Sequence, residues 1–226
     1  MGTPARAPNR GAALTPPRAA AVAGVLFALL MGASVVVVRL VVPGPQEDPG
    51  DWLKDPSRRN SVRLAIHLIP FAGVAFLWFI GVIRNRLGSL EDQFFASVFL
   101  GSGLLYVGSI FASAAFSGAL IETIANGHMY LLDNPTYYLA RQLIAQFANV
   151  FAIRMAGVFI MSSSTIMLRT AILPRWVAIL GFVCAAVLLL AITNWPWIAL
   201  LFPVWMLVVS LCILAAEFRR GIDRRV

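Results

Sequence analysis

Charged side chains are scarce in this sequence: they make up 12% of its 226 residues, whereas 60% are hydrophobic. A soluble globular domain has about 25% charged and about 45–50% apolar residues. A chain this apolar cannot cover its surface with polar groups, so a soluble domain is excluded. Its length allows five or six membrane spans of about 20 residues joined by short connections.

Cysteine and histidine are nearly absent, with two residues of each. Cys184 and Cys212 lie in apolar runs, so we expect reduced, buried thiols and neither a disulfide framework nor a zinc site. His67 and His128 are too few for a His-rich metal site, and the spans after Ser102 contain no histidine to act as its general base. Phosphate-binding and dinucleotide motifs are absent too. We therefore predict no cofactor and no enzymatic activity.

Lysine is also rare: 17 of the 18 basic residues are arginines, and the net charge is +8. Most of them flank apolar runs, which indicates membrane orientation and attraction to anionic lipid rather than nucleic-acid binding. With the N-terminus inside, eleven arginines are cytoplasmic and six basic residues are outside. The sequence therefore predicts a multi-pass plasma-membrane protein with both termini in the cytoplasm.

The apolar runs predict an all-α bundle of about six transmembrane helices that occupies residues 19–216. Residues 1–18 are predicted to be a disordered cytoplasmic tail and residues 217–226 a basic cytoplasmic tail. Connections 43–61 and 121–136 are expected outside, and Ser89 and Asp92 have the form of a capping box before the third span. The predicted spans are residues 19–42, 62–83, 93–120, 137–168, 176–193 and 198–216.

Small residues line two of these spans. Lipid tails are as apolar as leucine, so close backbone approach has to hold membrane helices together. We therefore expect small residues to form packing faces, although serines could instead line a polar path. The residues concerned are Gly73 and Gly81 in the second span, and Gly101, Ser102, Gly108, Ser109, Ser113 and Ser117 in the third.

The fourth predicted span carries the polar groups that lie deepest in the membrane. Arg154 falls near the midplane, where a charge costs about 2.5–3.5 kcal/mol on insertion scales. We expect it to face the bundle interior, an anion or a partner, with snorkelling to the surface as the alternative. Gln142, Gln146 and Asn149 form one stripe at helical spacing, about 120° from Arg154. We favour interhelical hydrogen bonds for this stripe over a pore lining.

Several ionisable residues fall at one depth near the predicted outer surface. Arg63 and His67 are i, i+4 neighbours there. Together these residues could form a cationic vestibule that receives an anion. The alternative, which we favour, is interfacial anchoring with local ion pairs from Arg63 or Arg141 to Glu122. The full set is Arg39, Arg63, His67, Glu122, His128 and Arg141.

Two segments carry a resemblance to known sequences: LIPFAG at residues 68–73 and FFASVFLGSG at residues 94–103. Across this stretch, about a sixth of the chain, the sequence resembles a group of actinobacterial integral membrane proteins with no assigned activity. The resemblance implies a multi-span membrane fold and brings no site with it.

Three functions are compatible with these features. The first is a non-enzymatic membrane component that binds lipids, a membrane protein partner or a second copy of itself. The second is a small transporter or channel for an anionic solute, and the third is a membrane-embedded enzyme. Packing faces without a catalytic set favour the first function, whereas Arg154 and the outer ionisable residues favour the second.

Overall fold

The computed structural model describes residues 16–44, 50–87, 93–170, 173–190 and 195–223. These residues contain no β-strand and form eight α-helices, two short 3-10 helices at Met129–Asp133 and Pro196–Leu200, and one π-helical segment at Gln146–Phe151. The α-helices are α1 (Pro16–Val41), α2 (Asp51–Lys54), α3 (Pro56–Leu87), α4 (Gln93–Ala125), α5 (Pro135–Ala145), α6 (Ala152–Thr170), α7 (Arg175–Leu190) and α8 (Leu201–Asp223).

Five of the described helical segments are long and apolar enough to cross a membrane. One of them is the continuous run of α5, the π-helical segment and α6. The described part of the apolar helix α7 has 16 residues, about 24 Å at 1.5 Å per residue, and the residues that follow it, 191–194, lie outside the described ones. The chain is therefore a membrane protein with an all-α polytopic bundle, as the sequence predicts.

Both predicted tails are shorter than expected. Helix α1 begins at Pro16, and α8 continues to Asp223, so residues 16–18 and 217–223 are helical. A proline in the first helical turn is tolerated because its missing N–H would have no intrahelical acceptor there. Residues 1–15 and 224–226 lie outside the described residues, as do the predicted capping box at Ser89 and Asp92 and the end of the fifth span at 191–193.

The predicted loop at residues 43–61 contains more helix than expected. Helix α3 begins at Pro56, six residues before the predicted span, and Asp55 Oδ1 accepts a hydrogen bond of 2.8 Å from the Ser57 N–H. Proline is favoured at the first helical position, because its missing N–H would have no intrahelical acceptor there. Before it, α2 buries Trp52 and Leu53 against the bundle.

The second connection, between α4 and α5, is compact. Helix α4 continues to Ala125, and Gly127 then adopts a φ of +94°, a conformation that glycine accepts without steric cost. Asn134 caps α5 by accepting a hydrogen bond of 2.9 Å from the Thr136 N–H. The turn signals at Asn126-Gly127 and Asn134-Pro135 are thus confirmed, although the helices around them are longer than predicted.

Aromatic rings from five helices form the centre of the bundle. Phe76 of α3 lies 4.8 Å from Phe27 of α1 and 5.0 Å from Phe159 of α6, measured between ring centroids. Phe202 of α8 lies 4.7 Å from Tyr106 of α4 in an edge-to-face arrangement. Tilted and edge-to-face pairs are the favoured geometries of aromatic rings, and they fix the helices relative to one another.

The closest helix contacts are made at glycines, but only partly at the predicted ones. Gly73 packs against Phe111, as the second-span face predicts, and Gly24 packs against Ser210. The prediction is wrong for Gly81, Gly101 and Gly108, because no described atom lies within 4 Å of a Cβ built at any of the three. The other close approaches are Gly103 against Ile80, Gly157 against Leu189, and Gly181 against Ser164.

Candidate functional site

A cavity of about 140 Å³ lies at one end of the bundle. We call this the connector end, because residues 42–44, 50–55 and 126–134, which connect helices, lie there. Helices α1, α3 and α4 and the α5–π run surround the cavity, and Trp52 of α2 and Ala199 also reach it. Most of the lining is aliphatic. The polar side chains in the lining are Ser34, Arg39, Ser113, Ser117, Arg141 and Asn149.

Arg39 brings the first positive charge to the cavity. It lies in the last turn of α1 and is half-buried. Its Nη2 donates a hydrogen bond of 2.6 Å to Oδ1 of Asn149, on the π-helical segment. A guanidinium has five N–H donors, so this single bond leaves Arg39 with donors for a second acceptor.

Arg141 brings the second positive charge, from α5. Its side chain is only 7% exposed, and its Nη2 donates a hydrogen bond of 2.9 Å to the carbonyl of Pro43. Pro43 lies beyond the end of α1, so this carbonyl accepts no helical hydrogen bond. The guanidiniums of Arg39 and Arg141 are close enough to repel each other. Two helices that are far apart in sequence therefore bring like charges to one cavity.

The serines around the cavity have already used their hydroxyl protons. Ser34 Oγ donates to the Ala65 carbonyl at 2.9 Å, which ties α1 to α3. Ser113 Oγ donates to the Ile144 carbonyl at 3.1 Å, which ties α4 to α5. The Ser113 bond is the packing role that we expected for the third span, whereas Ser117 Oγ donates within α4, to the Ser113 carbonyl at 2.8 Å. The strong donors that face the cavity are therefore the guanidiniums.

The described lining of the cavity is positively charged. Its described lining residues contribute two guanidiniums and no carboxylate. Arginine is the side chain best suited to this task, since its planar fork matches carboxylate and phosphate geometry and its charge persists in a dry site. An anion between the two guanidiniums would offset their repulsion and form charge-assisted hydrogen bonds.

The other residues of the predicted vestibule lie elsewhere. Arg63 and Glu122 form a salt bridge of 2.8 Å with side chains 34% and 58% exposed, which is the local pair that the anchoring interpretation predicts. His67 is exposed, with Nδ1 2.7 Å from the Arg63 carbonyl, and His128 is exposed as well. A single six-residue vestibule is therefore wrong, because these four residues do not line the cavity that Arg39 and Arg141 share.

The three residues of the predicted polar stripe do not share one environment. Gln142 and Gln146 are exposed, whereas Asn149 turns to Arg39. The cause is the π-helical segment Gln146–Phe151, whose hydrogen bonds run from i to i+5 and change the rotation per residue. A projection at 100° per residue therefore does not hold across it. Asn149 makes the interhelical bond that we favoured for the stripe, while the two glutamines do not line the cavity.

Arg154 contributes to a different contact. Its Nη1 donates a hydrogen bond of 2.8 Å to the carbonyl of Leu188, in the last turn of α7, and its side chain is half-buried. Carbonyls in the last turn of a helix lack intrahelical donors, and a cation there also interacts favourably with the helix dipole. Arg154 thus faces a neighbouring helix and caps it, and it does not line the Arg39–Arg141 cavity.

Sequence reasoning placed Arg39 and Arg141 at similar depth but did not single them out as a pair. It also missed Ser34 and Trp52, which reach the cavity from α1 and α2. The sequence did contain a signal that Arg39 is a candidate site residue, because it sits inside an apolar run, just before Pro43 ends the helix. Comparisons with protein families, with curated proteins and with solved structures find no match to this chain.

Proposed function

We propose that this protein is a non-enzymatic membrane component that binds an anionic ligand in the connector-end cavity. The observation that carries the proposal is the convergence of Arg39 and Arg141 on one mostly apolar cavity. The distribution of arginines along the sequence supports a plasma-membrane location with both termini in the cytoplasm. The connector end would then face outward.

The energetic argument rests on desolvation. Moving a guanidinium out of water is costly, and a second guanidinium nearby adds repulsion. Hydrogen bonds to charged groups contribute about 1.5–3 kcal/mol each. An anion that bridges Arg39 and Arg141 would add charge-assisted hydrogen bonds to the contacts that these guanidiniums already make. The Asn149 amide, which has no net charge, offsets only part of that cost at Arg39.

The test measures binding to the purified protein in detergent. The probes are inorganic phosphate and decanoate, followed by calorimetry and by native mass spectrometry. We expect Arg39→Gln and Arg141→Gln each to weaken binding of at least one probe about tenfold or more, which corresponds to about 1.4 kcal/mol. Arg63→Gln is the matched control, since that arginine lies outside the cavity. Unchanged binding of both probes in the double variant would contradict the proposal.

Transport of the anion is a second candidate function. One observation favours it: the cavity wall includes the π-helical segment, and such segments in α-helices are frequently found at functional sites. A π-helical segment can convert to α-helix and shift Asn149 relative to Arg39. Efflux of labelled decanoate from proteoliposomes, abolished in the Arg39→Gln, Arg141→Gln double variant, would support transport. Tight binding without flux would restrict the protein to the first role.

A further inference from the structure

Two glutamines of the α5–π run lie on the outer surface of the bundle. Gln142 and Gln146 are exposed, whereas the residues of α5 that line the cavity are Arg141, Ile144 and Ala145. Neither glutamine side chain has a hydrogen-bond partner among the described residues. Two primary amides, each with two N–H donors and a carbonyl acceptor, are therefore presented to the surroundings of the bundle.

Both amides lie at membrane depth. Ser113 Oγ of α4 donates a hydrogen bond of 3.1 Å to the Ile144 carbonyl, which places Ile144 beside Ser113. The apolar segment of α4 covers residues 94–125, so its midpoint falls between residues 109 and 110. Ser113 is about 5 Å from that midpoint at 1.5 Å per residue. Gln142 and Gln146 flank Ile144, so both fall inside a hydrocarbon core of about 30 Å.

Other polar side chains near the surface of the spans bond within their own helix. Ser109 Oγ donates to the Leu105 carbonyl at 2.8 Å, and Thr165 Oγ1 donates to the Met161 carbonyl at 3.0 Å. Such a bond uses the single proton of a hydroxyl. Lipid tails offer no partner to an amide, and polar side chains in membrane helices accordingly bond across to other helices. The two glutamines therefore require a polar partner from outside the described bundle.

Apolar side chains on the same side of α5 provide area for packing. Leu139 is 61% exposed and Leu143 is 37% exposed. Together with the two glutamines they occupy positions i, i+3, i+4 and i+7, which share one side of a helix. This pattern is typical of two helices that cross at about +20°, the common angle in membrane bundles. We call Leu139, Gln142, Leu143 and Gln146 the amide face.

We propose that the amide face binds the amide face of a second copy of this chain in the membrane. Both copies insert with the same orientation, so the two-fold axis runs along the membrane normal and the two α5 helices are parallel. Gln142 then faces the partner's Gln142, and Gln146 faces the partner's Gln146. An amide is complementary to itself, because its N–H donates to the opposite carbonyl and its own carbonyl accepts in return. A wholly apolar partner helix cannot satisfy these groups.

This dimer does not depend on the proposed function, because no residue of the amide face lines the Arg39–Arg141 cavity. Loss of anion binding would leave the dimer standing, and a monomeric chain could still bind an anion. The two proposals therefore fail separately.

Cysteine cross-linking of the full chain in membranes tests the face directly. Leu139→Cys and Leu143→Cys should each give a disulfide-linked dimer on mild oxidation. Leu64→Cys is the matched control, since Leu64 is 65% exposed on α3, and it should give none. Background should be low because Cys184 is buried and Cys212 half-buried. No dimer through either α5 position, or equal cross-linking through Leu64→Cys, would overturn the proposal.

Substitution of both amides measures what they contribute. Energy transfer between labelled copies in lipid vesicles gives the dimer fraction as the protein is diluted with lipid. We expect the Gln142→Leu, Gln146→Leu double variant to dissociate at protein densities at least tenfold higher than the wild type does. His67→Leu, which replaces another exposed polar side chain, on α3, should leave the dimer unchanged.

The double variant should still insert and keep the helical content of the wild type, because leucine favours insertion; circular dichroism checks this. A wild-type chain that stays monomeric at every density, or a dimer that the double substitution does not weaken, would contradict the proposal. A monomer that co-purifies with one equivalent of a different membrane protein, and loses it in the double variant, would assign the amide face to that protein and overturn the second copy as its partner.

Discussion

Arg39 in the last turn of α1 and Asn149 in the π-helical segment are joined by a hydrogen bond of 2.6 Å across 110 residues of sequence. The bond joins two helices whose backbones do not otherwise pack closely. It holds one guanidinium at the cavity and satisfies it with a neutral acceptor that a charged ligand can replace.

Substitution of Asn149 by alanine separates the contribution of this bond to stability from its competition with a ligand for Arg39. We expect Asn149→Ala to lower the free energy of unfolding by about 1 kcal/mol, the usual contribution of such a hydrogen bond. Affinity for decanoate should be retained or increased, since the ligand no longer competes with the amide for Arg39. Thermal unfolding in detergent and calorimetry give the two quantities. Asn126→Ala, at an exposed position, is the control, and a large loss of affinity in Asn149→Ala alone would contradict the competition.

Arg154 should matter for stability and not for the ligand. Arg154→Leu removes the hydrogen bond to the Leu188 carbonyl at the end of α7, so we expect a loss of about 1–2 kcal/mol in unfolding free energy. Leucine favours membrane insertion, so the chain should still reach the membrane. Arg154→Lys should retain part of the stability. Decanoate binding weakened as strongly as by Arg141→Gln would show that Arg154 reaches the ligand.

The glycines offer a matched test of helix packing. A Cβ on Gly24 would collide with the Ser210 side chain, so Gly24→Ala should lower the unfolding free energy by about 1–3 kcal/mol through overpacking. Gly108→Ala should instead raise it by about 0.5–1 kcal/mol, because the site is open and alanine is the better helix former. Thermal unfolding of both variants shows whether the unfolding free energy changes in the two opposite directions expected. A destabilised Gly108→Ala would indicate that this face contacts a further subunit.

Membrane orientation can be measured by labelling intact cells with an impermeant thiol reagent. Ser57 and Asn126 are exposed residues at the connector end, so Ser57→Cys and Asn126→Cys should both be labelled. Glu217→Cys, near the opposite end, should be labelled only after the membrane is permeabilised. Background should be low because Cys184 is buried and Cys212 half-buried. Labelling of Glu217→Cys alone in intact cells would reverse the orientation.

Composition and the position of apolar runs were enough to determine the membrane fold. Each span needs about 20 apolar residues whatever its neighbours are, so the runs could be recognised one at a time. Helix ends were predicted less accurately: α3 begins at Pro56, inside the connection expected at residues 43–61. Local turn signals such as Asn134-Pro135 were reliable, because a cap satisfies its own backbone within a few residues.

Tertiary structure alone decided which side chains meet. Small residues mark many possible packing faces, and only the arrangement of the helices selects Gly24 and Gly73 over Gly101 and Gly108. The π-helical segment turns Asn149 away from Gln142 and Gln146, which no regular helical projection anticipates. Arg39 and Arg141 converge because α1 and α5 line the same cavity. Such contacts depend on helices far apart in sequence, and interactions of that range leave no local pattern to read.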